Sequence, residues 1–175
     1  MRHLCCSETG SLNTLRSSIH SEWMRCVKSS RKGMDFTMNI ALMSHDRKKE
    51  LMVQFCIAYC GVLSKHTVCA TNITGRLVGE ATGLPVRLFL SHAHGGSQQI
   101  GARIAYNEID MVFFFSDPQS TDLDAELKYI SQMCDQYNIP FATNVATAEI
   151  LIHGLERGDL DWREIVNPSL QPVTV

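Results

Sequence analysis

From Met38 onward, short apolar runs alternate with segments whose apolar residues recur every three or four positions. Residues 38–43, 66–70, 86–90, 111–115 and 140–143 are apolar on both faces, which suits strands of a parallel sheet covered on both sides. Residues 48–63, 74–82, 98–107, 122–137 and 146–156 carry helical spacing. The alternation predicts a single three-layer α/β sandwich with a mainly parallel, Rossmann-like sheet and right-handed crossovers. Gly83-Leu84-Pro85 and Asn138-Ile139-Pro140 read as helix stops ahead of strands.

Residues 1–37 follow another rule: basic residues outnumber acidic ones, serines are frequent, and Leu12, Leu15, Ile19, Trp23 and Val27 would share one helical face. The segment reads as an N-terminal extension, disordered or loosely docked. Its Arg and Ser content suits an organelle transit peptide, and a start at Met34 or Met38 suits it equally. The domain is expected over 38–166 and a C-terminal tail over 167–175.

A chain of 175 residues is long enough for one self-sufficient core. A formal charge of -2 with mixed signs argues against a nucleic-acid surface, and no apolar run reaches the roughly 18 residues of a membrane span. The seven cysteines lack paired metal spacing, so reduced thiols in a cytoplasmic protein are expected. Cys56 and Cys60 share a helical face, which is the sole hint of a metal site among them.

In parallel sheets, ligands bind beyond the carboxyl ends of the strands. The segments at those ends are Ser44-His45-Asp46, Thr71-Asn72-Ile73-Thr74-Gly75, Ser91 to Ser97, Ser116-Asp117-Pro118 and Thr143-Asn144-Val145. Hydroxyls, imidazoles, carboxylates and glycines gather there. Gly95-Gly96 before a helix would let backbone approach an anion. Thr74 and Ser97 also read as helix caps, but one cap per loop leaves most of the set unexplained.

These loops resemble the methylglyoxal synthase family from about Met38 to Ile152. The carriers are His45-Asp46, Ala70-Thr71 with Thr74-Gly75, Gly95-Gly96 with Gln98-Gln99, Phe114 to Pro118, and Asn138 to Ala148, in order and at matching spacing. The resemblance implies a lyase that converts dihydroxyacetone phosphate to methylglyoxal and phosphate, without metal or organic cofactor. It also implies a homo-oligomer, commonly a hexamer, with phosphate as product or effector. It places His45 at the reacting oxygens with Asp46 beside it, Asp117 as a tuning residue, and Lys49, Thr71, Asn72, Ile73, Thr74, Ser91 and His92 around the phosphate.

The chain departs from the family pattern where the family has its catalytic base. That position holds Ser97, and a hydroxyl cannot accept a proton at neutral pH as a carboxylate does. Ile73 replaces a hydroxyl residue, His92 replaces a glycine, a family histidine after the fourth strand has no counterpart, and a tail arginine is not evident after Arg163. His92 and His94 are extra imidazoles on the altered loop, and either could compensate as base. Their His-x-His spacing lacks a third metal ligand. The alternative is a weakened phosphate-metabolite-binding or regulatory protein on the same fold; a third is a lyase or isomerase of another phosphorylated ketone.

Overall fold

The computed structural model describes residues 37–120, 124–160 and 163. The expectations for the N-terminal extension and the C-terminal tail lie outside the described residues.

The chain runs β1 (Asn39–Ser44), α1 (Lys49–Ala58), α2 (Cys60–Leu63), β2 (Thr67–Thr71), α3 (Asn72–Thr82), β3 (Val86–Phe89), α4 (Gly96–Ala105), β4 (Met111–Phe115), α5 (Asp124–Gln136), β5 (Phe141–Ala142) and α6 (Val145–Glu156). The strands form one five-stranded sheet in the order β3-β2-β1-β4-β5. Every pairing is parallel.

Alternation along β1 feeds two cores. Ile40 and Leu42 pack with Met52, Phe55, Val78 and Ile152, while Ala41 and Met43 pack with Ile100, Ile104, Ile130 and Cys134. Helices α1, α3 and α6 therefore cover one face, and α4 and α5 the other. Because both faces are covered, β4 is buried along its whole length, which explains its continuous Met-Val-Phe-Phe-Phe run.

The expected 48–63 helix is interrupted: Tyr59 leaves helical geometry at φ -107° and ψ 20°, giving α1 and α2. Helix α3 begins at Asn72, two residues earlier than its periodicity suggested, because Thr71 turns directly from β2 into the helix. Asn138 carries the left-handed turn, φ 52°, ahead of β5. Arg163 lies buried and donates to the Asn138 carbonyl, with Asp110 at 3.9 Å. Asp110 also accepts from the Asn39 N–H at the amino ends of β1 and β4, the edge remote from the candidate site.

Candidate active site

The strand order reverses direction beside β1, since β2 and β3 lie on one side of it and β4 and β5 on the other. Loops leaving β1 and β4 consequently diverge and leave a crevice at their carboxyl ends. A cavity of about 580 Å³ occupies it. Its wall includes His45, Asp46, Lys49, Thr71, Ile73, Thr74, Ser91, His92 and Asp117 from the sequence-derived set. Asn72, His94 and Ser97 do not line it.

His45 is the most constrained of these groups. Its main-chain N–H donates to the Phe115 carbonyl at 3.1 Å, which extends the β1–β4 ladder. Its ring packs edge-on against Phe114, with centroids 5.0 Å apart, and the residue is 4% exposed. The Asp117 N–H donates to His45 Nδ1 at 2.9 Å. A main-chain amide can only donate here, so Nδ1 is a lone pair and the ring proton sits on Nε2. The orienting group thus belongs to the main chain of Asp117. The Asp117 carboxylate accepts from the Gln119 N–H at 3.1 Å and faces Arg47 at 3.8 Å.

Around the imidazole, Lys49 Nζ pairs with Asp46. The lysine's hydrogen bond, and then its charge, hold the Asp46 carboxyl below the usual carboxylate range. Thr74 Oγ1 lies 3.2 Å from Ser44 Oγ and 3.4 Å from Thr71 Oγ1. Three hydroxyls therefore cluster in a cavity that Lys49 also lines, a set suited to phosphate oxygens. Thr74 is the third residue of α3, and Ser97 the second of α4, whose caps are Thr71 and Gly95; neither side chain is a cap.

The glycine pair does a different job from the one its sequence suggests. Gly95 adopts φ +90°, and a Cβ on Gly96 would fall 2.2 Å from the Leu90 carbonyl oxygen. The close backbone approach is to the chain's own loop, not to the cavity. Ser97 is 3% exposed, and its Oγ has no hydrogen-bond partner among the described residues. His94 Nδ1 lies 2.7 Å from Ser91 Oγ, whereas His92 Nδ1 lies 2.6 Å from Glu126 Oε2.

Sequence reasoning missed Arg47, Phe114, Gln119, Ser120 and Glu126, all of which line the cavity. Arg47 follows His45-Asp46 directly and was within reach of the loop argument. Glu126 precedes the buried Ile130 and Cys134 by four and eight residues, so helical spacing aims it at the covered face of α5. Burial raises its carboxyl pKa, against the lowering influence of His92. Among the described residues, no three His, Cys, Asp or Glu side chains gather as a metal site.

A parallel sandwich with imidazoles, carboxylates, a lysine and hydroxyls around one cavity at its switch point defines the class: an α/β enzyme domain for a small anionic molecule. A family model described as an MGS-like domain matches residues 52–143, just over half of the chain. A methylglyoxal synthase of Caldicellulosiruptor saccharolyticus is 61% identical over 135 residues, covering 77% of this chain and 96% of that protein. One from Oceanobacillus iheyensis is 52% identical over 130 residues, covering 74% and 93%. The crystal structure of methylglyoxal synthase from Elizabethkingia anophelis superposes with a TM-score of 0.61 at 36% identity, covering 66% of this chain and 77% of that one. This chain belongs to the methylglyoxal synthase family, and with it to the carbon–oxygen lyases that act on phosphates.

Proposed function

We propose that the chain converts dihydroxyacetone phosphate to methylglyoxal and inorganic phosphate. The observation that carries this reading is the His45 tautomer, fixed by the Asp117 N–H, in a cavity that also holds Lys49, Thr71, Thr74 and Ser91. Proton loss from the carbon next to the substrate carbonyl leaves an enediolate. A neutral imidazole presenting Nε2–H stabilises that oxygen charge without itself being an ion that must be desolvated. Lys49 and the hydroxyls of Thr71, Thr74 and Ser91 hold the phosphate, which departs by β-elimination. Asp46 and Asp117 tune the cations and the imidazole, and no metal or organic cofactor takes part.

Ser97 favours a second reading. It stands at the family's base position with a buried hydroxyl away from the cavity wall, so a weakened phosphate-metabolite-binding or regulatory protein would keep the same ligand set. Without another base, turnover would fall by about 10²- to 10⁴-fold. Incubation of the purified protein with dihydroxyacetone phosphate, with methylglyoxal as readout, separates the two. Robust wild-type turnover removes the binder; a silent wild type with activity gained in Ser97→Asp removes the enzyme.

We further infer a homo-oligomer, a hexamer by family resemblance, acting in the cytoplasm with phosphate as product or effector. Support for assembly comes from exposed Leu88 on β3, Leu90 just after it, and Ile73 and Leu77 on the adjoining α3. The free thiols Cys56, Cys60, Cys69 and Cys134 suit a reducing compartment, and burial pushes Cys56, Cys69 and Cys134 up to about 12.

A further inference from the structure

Two imidazoles line the cavity, and their hydrogen bonds place their protons on opposite nitrogens. His45 Nδ1 accepts from a main-chain amide, so its Nε2 donates. His92 Nδ1 lies 2.6 Å from Glu126 Oε2, and an ionised carboxylate offers only lone pairs. Neutral His92 therefore carries its proton on Nδ1 and a lone pair on Nε2. One ring is built to give a hydrogen bond and the other to take a proton.

The supporting carboxylate is placed for that job. Its side chain is 9% exposed while that of His92 is 56% exposed, so the carboxylate stands behind the ring and the ring reaches open space. Glu126 Oε1 is buried without a hydrogen-bond partner among the described residues, which leaves His92 as the donor that answers the carboxylate. His94, which does not line the cavity, is engaged with Ser91.

We propose that His92 is the general base of this enzyme and that Glu126 is its positioning residue, a dyad that replaces the carboxylate missing at Ser97. The proposal rests on the lyase reading above. His92 Nε2 takes a proton from the carbon next to the carbonyl, and the C–H electron pair becomes the C=C bond of the enediolate. That double bond shifts as the C–O bond to phosphate breaks; the phosphate leaves with the bonding pair and the enediol hydroxyl proton. The imidazolium then returns its proton to the new methylene carbon, which gives the ketone of methylglyoxal and restores the neutral ring. A carboxylate behind an imidazole fixes its tautomer and stabilises the imidazolium, as in hydrolytic triads.

His92→Gly restores the small residue of the family pattern, so it tests the base without crowding the loop. Two readouts are followed with dihydroxyacetone phosphate: methylglyoxal formation, and uptake of solvent deuterium into substrate by NMR, which reports proton abstraction alone. The expected result is at least a 100-fold loss of both in His92→Gly, partial recovery on adding free imidazole, and a fall in kcat rather than a rise in KM for Glu126→Gln that Glu126→Asp largely reverses. A His92→Gly variant that keeps wild-type exchange and turnover overturns the dyad and leaves the lyase reading standing. A wild type that exchanges deuterium, dependent on His92, yet releases no methylglyoxal overturns the lyase reading and supports the dyad. A folded wild type that does neither overturns both.

Discussion

His45 owes its tautomer to a main-chain amide, a group that can only donate. His45→Ala should lower kcat by about 10²- to 10³-fold, the usual cost of one transition-state donor. Inorganic phosphate binding measured by calorimetry should stay near wild type, because Lys49 and the hydroxyls remain. Glu126 makes a prediction of the opposite kind. Burial raises its pKa in the fold, so the folded chain holds that proton more tightly than the unfolded chain does. Stability is therefore present below the ordinary carboxyl value and declines as pH rises toward the raised one. His92 opposes the shift, so His92→Gly should deepen the decline; urea unfolding at pH 4, 6 and 8 would check it, and parallel curves for variant and wild type would contradict it. At this scale the sequence was readable for residues at or just beyond strand ends, such as His45, Lys49 and Thr71, all of which line the cavity. Glu126 was hidden because it stands inside a helix, and its partner His92 stands where the family pattern has a glycine.

At the scale of elements, apolar runs located all five described strands, because a sheet covered on both faces admits little else. Helix ends were less legible. Tyr59 breaks the first helix at a position that is itself neither Gly nor Pro, two residues ahead of Gly61, and Thr71 starts α3 from within the strand end. Two substitutions separate local devices from the site. Asn144 accepts from the Thr147 N–H at 2.9 Å as the cap of α6, so Asn144→Ala should cost about 1 kcal/mol in urea unfolding while leaving kcat unchanged. Gly96→Ala forces a side chain against the Leu90 carbonyl, a backbone atom that cannot turn aside. Its cost should reach about 1–3 kcal/mol or more, and it should reduce turnover as well, since the same loop carries Ser91 and His92.

For the whole molecule, the order β3-β2-β1-β4-β5 assigns the two cavity imidazoles to unequal supports. His45 follows the central strand, paired on both sides, whereas His92 follows β3, which among the described residues pairs with β2 alone and turns Leu88 outward ahead of the exposed Leu90. An edge strand of this kind opens more readily than the middle of a sheet. Covering by a second copy would hold β3 from its free side, and separation would release it together with Ser91 and His92. Specific activity should then decline on dilution, together with the mass read by light scattering, while far-UV circular dichroism changes little. Constant specific activity across the dissociation range would separate assembly from catalysis. The edge position of a single four-residue strand thus makes protein concentration a control variable for the candidate active site.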